Sequence, residues 1–185
     1  MYKKGILLDR DGVIIENRED YVKNTSEVKI LPGVREAITS LWMENYIVCI
    51  ITNQSGVSKG LYSEKDVKDI HRFIEKELCH EISGPIFWYY CPHQDKDKCT
   101  CRKPNSGLLE KAISDHNFCS ENTWMVGDNI RDIEAGRKAQ CQTCLVLTGL
   151  GKSFNKPKMS LVPHKVCHDL YEFVEQILTE EEESL

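Results

Sequence analysis

The stretch Gly5-Ile6-Leu7-Leu8-Asp9-Arg10-Asp11-Gly12-Val13 decides the reading of the fold. A short apolar run ends on two carboxylates one residue apart, and a glycine then lets the backbone turn away. Such a run reads as a buried strand, and an open parallel α/β sheet gathers its ligands at the carboxyl ends of its strands. Alone, the stretch reads equally well as a surface turn after a strand, because Asp and Gly are ordinary turn residues. Four later stretches repeat the arrangement and tip the reading.

Residues 46–51 form a β-branched run that stops at Thr52-Asn53-Gln54-Ser55-Gly56. Residues 86–90 lead into Cys91-Pro92-His93 and, five polar residues later, Cys99-Thr100-Cys101-Arg102-Lys103-Pro104. Residues 124–126 deliver Gly127-Asp128-Asn129-Ile130-Arg131-Asp132, and residues 143–147 end at Thr148-Gly149. Between these runs, apolar residues recur at helical spacing: Val34, Ile38, Leu41 and Trp42; then Val67, Ile70, Phe73, Ile74 and Leu78; then Leu108, Leu109, Ala112 and Ile113. Ser63-Glu64-Lys65-Asp66 has the form of a capping box opening the second of these helices. His71 lies beside its stripe and reads as structural. A short helix through Ala139 and a last amphipathic one marked by Leu170, Phe173, Val174 and Ile177 complete the pattern. Residues 13–29 read as a loop or flap, and 151–163 as loop. This alternation predicts one domain over residues 1–185, of class α/β, with a doubly wound, mostly parallel sheet and helices on both faces.

With 41% apolar and 29% charged residues, the 185-residue chain has globular composition. Its formal charge of −5 argues against a nucleic-acid surface, which needs clustered Lys and Arg. Much of the acidity lies in Glu180-Glu181-Glu182-Glu183, read as a solvated, frayed end. No apolar run is long enough to span a bilayer and no signal-peptide pattern opens the chain, so the expectation is a cytoplasmic protein, monomeric and without a membrane partner. Nine cysteines disfavour a secreted disulfide framework. Cys49, Cys79, Cys119, Cys141, Cys144 and Cys167 read as small core hydrophobes.

With the strand ends side by side, one sheet edge carries Asp9, Asp11, Thr52, Asn53, Lys103, Asp128 and Asp132. Carboxylates so gathered repel one another unless a cation sits among them, and oxygen ligands on short loops favour Mg²⁺. A Lys and a Thr beside them point to phosphate chemistry. Lys103 and Mg²⁺ offset the repulsion between a carboxylate and a phosphate dianion, so Asp9 serves as nucleophile through an aspartyl-phosphate. Asp11 protonates the leaving oxygen and later deprotonates water, while Thr52 holds nonbridging oxygens. Cys91, His93, Cys99 and Cys101 supply a complete tetrahedral shell for a structural Zn²⁺, pinning the loop 91–101 that aims Arg102 and Lys103.

Asp9-Arg10-Asp11-Gly12-Val13, Thr52-Asn53-Gln54, Lys103 and Gly127-Asp128, in that order, resemble the four motifs of the haloacid dehalogenase superfamily of phosphatases. The resemblance implies a Rossmann-like fold, nucleophile Asp9, acid/base Asp11, phosphate ligands Thr52 and Lys103, and Mg²⁺ held by Asp9, Asp128 and the backbone carbonyl of Asp11. Asp132 assists that site from behind, and short connections after the first two motifs imply a capless enzyme. The zinc loop followed by Arg102-Lys103-Pro104, with Thr52-Asn53-Gln54-Ser55-Gly56, is similar to the heptose 1,7-bisphosphate phosphatase group, which removes the 7-phosphate. That likeness makes a small phosphorylated sugar the substrate. It assigns Arg102 to the sugar or its remaining phosphate, and Tyr21, Asn53, Gln54, Ser55 and Asn129 to the pocket. Histidinol-phosphate phosphatases share the zinc loop and stand as the alternative. A receiver-type phosphoacceptor and a zinc-dependent interaction module are the rivals outside enzymes.

Overall fold

A computed structural model describes residues 3–79, 84–153 and 161–183. Its central strand, β1 (Gly5–Leu8), is buried over its whole length. It is flanked by β2 (Ile47–Asn53) and β4 (Trp124–Gly127), with Leu7 level with Cys49 on one side and Met125 on the other. β3 (Ile86–Cys91), β5 (Gln142–Val146) and β6 (Lys165–Cys167) extend the sheet outward in the order β3-β2-β1-β4-β5-β6, all parallel. β6 is the strand the sequence reading missed. At three residues it is too short to show a period, and it is recognisable only because His164 N–H reaches the Thr143 carbonyl and places the segment beside β5.

Side chains on β1 alternate between two cores, as a sheet covered on both faces requires. Ile6 and Leu8 face one layer with Val48, Ile50, Ile38, Leu41 and Phe173, supplied in part by α1 (Val34–Met43) and α5 (Leu170–Glu182). On the same face lies α2 (Glu64–Leu78), through Ile70, Ile74 and Leu78. Leu7 faces the other layer, with Cys49, Ile51, Met125 and Ala135, covered by α3 (Gly107–His116) and α4 (Ile130–Lys138). Truncating a large residue of either layer, such as Phe173→Ala, costs about 3–5 kcal/mol. Strand order reverses at β1, so the crevice between the loops leaving β1, β2 and β4 is where such a sheet binds ligands.

Three local expectations are corrected. Glu180–Glu182 are not a frayed tail but the last residues of α5. Acids at a helix C-terminus oppose the helix dipole, and here Lys4 Nζ at 2.7 Å from Glu181 offsets them, with the Tyr46 hydroxyl donating to Glu181 at 2.5 Å. Within residues 13–29, Val13, Ile14, Ile15 and Val22 are buried in the first core, so this segment is an anchored loop. Of the cysteines read as core, Cys79 and Cys119 are only half-buried, because both lie where helical segments end or begin. Gly149–Ser153 make a 3₁₀ turn, and 154–160 of the expected loop lie outside the described residues.

Candidate active site

Asp9 continues the line of β1, its N–H donating to the Val126 carbonyl of β4 at 2.9 Å. Its Oδ1 accepts from the Arg10 backbone N–H at 2.7 Å and from Lys103 Nζ at 2.9 Å, so the carboxylate's orientation is set by two donors. Lys103, 1% exposed, also reaches Asp132 Oδ1 at 2.7 Å and the Ile51 carbonyl at 2.7 Å, which engages all three ammonium protons. Burial acts to lower the lysine's pKa, but Asp132 and Asp9 outweigh it and the group stays charged.

Carboxylate oxygens of Asp9, Asp128 and Asp132 lie within 4.8 Å of one another. Burial pushes the Asp9 carboxyl well above its ordinary range; Lys103 opposes this, and Asp132, Asp128 and Asp11 reinforce it. Asp128 is pushed up to about 7, first by burial and then by Asp132. A cluster of hard oxygen donors with more negative charge than its one lysine can balance fits a divalent cation such as Mg²⁺. Gly12 makes room for Asp128: its φ is +87°, and a Cβ there would stand 2.1 Å from Asp128 Oδ2.

The helix cap organises the far wall. Asn129 caps α4, its Oδ1 accepting from the Arg131 N–H at 3.0 Å, and Asp132 Oδ2 accepts from the Asn129 N–H at 3.1 Å. Asp132 therefore serves the cap through one oxygen and Lys103 through the other. A sequence signal for this existed in the Asn-x-x-Asp spacing.

Of the candidate catalytic, metal-binding and substrate residues, Asp9, Asp11, Thr52, Asn53, Lys103, Asp128, Asn129 and Asp132 line one cleft of about 130 Å³. Asn17, Arg131 and Leu150, which the sequence reading did not single out, line it too. Asn53 brackets the lysine backbone, accepting from Lys103 N–H at 3.0 Å and donating to the Lys103 carbonyl at 3.0 Å. Gln54 turns inward, donating to Asp11 Oδ2 at 3.0 Å and to Thr52 Oγ1 at 2.8 Å, while its Oε1 accepts from the Tyr62 hydroxyl at 2.8 Å. The Asp11 carboxylate stands apart from the acidic cluster and is gripped by Arg10.

Tyr21, Ser55 and Arg102 do not line that cleft but neighbour one another. Lys59 donates to the Tyr21 hydroxyl at 2.5 Å and draws its pKa down; Ser55 adds to this, and the charge of Arg102 is felt there as well. Arg102 Nε and Arg131 Nη1 share one partner, Asp95 Oδ1, at 2.7 and 2.9 Å. The two guanidiniums, Arg131 first, hold the Asp95 carboxyl down at about 2. Neither Asp95 nor Arg131 belongs to a recognisable motif, so only the folded loop reveals the pairing.

Within the same loop, Cys91, His93, Cys99 and Cys101 converge. Sulfur–sulfur distances run 3.1 Å for Cys91–Cys101, 3.4 Å for Cys99–Cys101 and 3.6 Å for Cys91–Cys99. His93 Nδ1 lies 3.5 Å from Cys91 Sγ and 3.3 Å from Cys101 Sγ. A tetrahedron with Zn–S arms of about 2.3 Å has edges of about 3.8 Å, so the donor set fits a zinc ion after slight expansion.

A model of the HAD-hydrolase-like family matches residues 100–173. The chain is 36% identical over 181 residues, 96% of each chain, to a D-glycero-beta-D-manno-heptose-1,7-bisphosphate 7-phosphatase of Neisseria meningitidis. It is 38% identical over 159 residues to the Pseudomonas aeruginosa protein of that name, covering 85% of this chain and 89% of the relative. The crystal structure of the D,D-heptose 1,7-bisphosphate phosphatase of B. bronchiseptica, complexed with magnesium and phosphate, superimposes with a TM-score of 0.90 at 34% identity, covering 96% of this chain and 99% of that one. The strand order, the paired aspartates after β1, the buried lysine and these relatives converge: the chain belongs to the HAD-like hydrolase family, among its phosphatases.

Proposed function

We propose that this protein removes the 7-phosphate from D-glycero-D-manno-heptose 1,7-bisphosphate, with Mg²⁺, by way of a phosphoryl group carried on Asp9. The observation that carries the reading is the Lys103 ammonium fixed between Asp9 and Asp132 at the end of β1. Its support for this substrate comes from the relatives that the chain matches over nearly its whole length.

Asp9 attacks phosphorus, and the bond to the sugar oxygen breaks. Thr52 receives a nonbridging oxygen, and the Lys103 charge beside Asp9 offsets the negative charge of the others, where preorganised electrostatics lower the barrier most. Asp11 gives a proton to the departing oxygen, then takes one from the water that releases phosphate from Asp9, so the enzyme returns to its starting state. Asp9, Asp128 and the backbone carbonyl of Asp11 would hold Mg²⁺, which when bound supplies charge neutralisation. Zn²⁺ on Cys91, His93, Cys99 and Cys101 serves structure alone, because the protein fills all four positions. Arg102 and Arg131, with Asp95 between them, suit the second phosphate of the substrate. The protein acts as a single capless domain, and nine thiols without a disulfide suit the cytoplasm. No helix among the described residues is long and apolar enough to cross a membrane.

The test is turnover of a panel with Mg²⁺: both anomers of the heptose bisphosphate, heptose 7-phosphate, histidinol phosphate and simple sugar monophosphates. The expected result is the highest kcat/KM on a heptose bisphosphate. A higher value on histidinol phosphate would overturn the assignment.

A further inference from the structure

Arg10, the residue between the two aspartates, has no part in the reaction as described so far, yet it is one of the two largest fully buried side chains, at 1% exposure. Its guanidinium turns onto its own neighbour. Nε donates to Asp11 Oδ2 at 3.1 Å and Nη2 to Asp11 Oδ1 at 3.0 Å, a two-pronged grip. Nη1 is buried without a hydrogen-bond partner among the described residues. As a packing element Arg10 is a poor choice, since a buried guanidinium with an unpaired nitrogen is costly and an apolar side chain would fill the space better.

The two oxygens of Asp11 are treated unequally. Oδ2 accepts from Arg10 Nε, from Gln54 Nε2 at 3.0 Å and, more weakly, from Thr52 Oγ1 at 3.4 Å. Oδ1 accepts, among the described residues, from Arg10 Nη2 alone. Gln54 is itself locked by the Tyr62 hydroxyl on its Oε1, which leaves its amide nitrogen no choice but to donate toward Asp11 and Thr52. An oxygen surrounded by donors has no room to carry a proton of its own.

We propose that Arg10 is a positioning residue that, with Gln54 and Tyr62 behind it, fixes the Asp11 carboxyl in one rotamer with Oδ1 as the oxygen that transfers the proton. In the first step the proton on Oδ1 passes to the departing oxygen as the bond from phosphorus to that oxygen breaks and the bond to Asp9 forms. In the second, Oδ1 takes a proton from water as water bonds to phosphorus and the bond to Asp9 breaks. Oδ2 stays the acceptor of Arg10 Nε and Gln54 Nε2 throughout, while the single proton of the Thr52 hydroxyl turns to the phosphate. This inference rests on Asp11 being the acid of the proposed reaction, and it holds for any phosphate ester the site accepts.

The experiment compares kcat/KM for phenyl phosphate and 4-nitrophenyl phosphate in wild type, Asp11→Asn and Arg10→Lys. This ratio reports the steps up to phosphorylation of Asp9 and so excludes water attack. 4-Nitrophenolate departs with little help from an acid, whereas phenolate needs it. A positioned acid contributes about 10²–10⁴-fold. Arg10→Lys keeps the charge and loses the fork, so a fall of about 30-fold or more is expected on phenyl phosphate and less than about 3-fold on the nitrophenyl ester. Equal falls on both esters, or no fall on either, would overturn the role of Arg10 while leaving Asp11 as the acid if Asp11→Asn remains selective. Equal falls in Asp11→Asn would remove the acid assignment and this inference with it. Should Arg10→Lys fail to fold, Tyr62→Phe, which lacks only a hydroxyl, must show the same selectivity at about 5-fold, and an unselective effect or none overturns the proposal.

Discussion

Lys103 Nζ stands 2.7 Å from Asp132 Oδ1, and the same ammonium holds Asp9 at 2.9 Å, so one buried cation separates a buried carboxylate from a half-buried one. Removing it leaves both uncompensated. Lys103→Met is expected to lose activity and, without added metal, about 3 kcal/mol or more of stability in urea denaturation. A loss below about 1 kcal/mol would mean that the carboxylates do not depend on the lysine.

Asp9→Asn removes the carboxylate proposed as nucleophile while keeping shape and most hydrogen bonds. Turnover is expected to fall at least about 10⁴-fold with the unfolding temperature little changed. A variant retaining a tenth of wild-type activity would refute Asp9 as the phosphoryl carrier.

Asp95 is the exposed anchor shared by Arg102 and Arg131. Asp95→Ala frees both guanidiniums without touching the reacting groups. The expected signature is KM raised about 10-fold for a bisphosphate with kcat within about 2-fold, and a smaller change for a monophosphate. Equal changes for both substrates would remove these arginines from recognition of the second phosphate.

Cys99→Ser takes one donor from the Cys91, His93, Cys99 and Cys101 cluster. Zinc content is expected to fall from one equivalent toward zero and the unfolding temperature with it. Chelation strong enough to strip zinc should lower stability irrespective of Mg²⁺, while milder chelation should abolish activity alone. Full zinc occupancy in Cys99→Ser would contradict the ligand set.

His71, stacked on Trp88 at 3.9 Å, has its pKa pushed down to about 2 from 6.5, first by burial and then by the charge of Arg10. Above the unfolded value both states are neutral. Below it the unfolded chain binds a proton that the folded one cannot, so stability is lost as pH falls, by about 2 kcal/mol from pH 6.5 to about pH 5. His71→Phe keeps the ring and should flatten that dependence in urea denaturation at the two pH values. An unchanged slope would place the acid sensitivity elsewhere.

Much of the architecture is legible in the residues before any coordinates. The paired aspartates after β1, the polar ends of β2 and β4, and the Cys/His spacing are local patterns, and local patterns carry strand ends and metal shells directly. Gln54 and Asn53 read as pocket residues for the same local reason, because they follow a strand end. In the structure Asn53 lines the cleft while bracketing the Lys103 backbone, and Gln54 turns to Asp11, across sequence separations of 50 and 43 residues. No periodicity reports a partner at that distance.

The order of apolar runs and the chemistry at their ends were therefore sufficient, by sequence alone, to determine a parallel α/β sheet, an acidic cluster at its strand ends and a convergent Cys/His loop. Burial and alternation are properties of a few consecutive residues, which is why one chain suffices to read them. Only the tertiary structure decided which side chains face the cleft and which brace those that do: Arg10 behind Asp11, Gln54 behind Thr52, Asp95 between Arg102 and Arg131. Those relations depend on where loops from different strands meet, and that is settled by the packing of helices on both faces of the sheet rather than by any stretch of sequence.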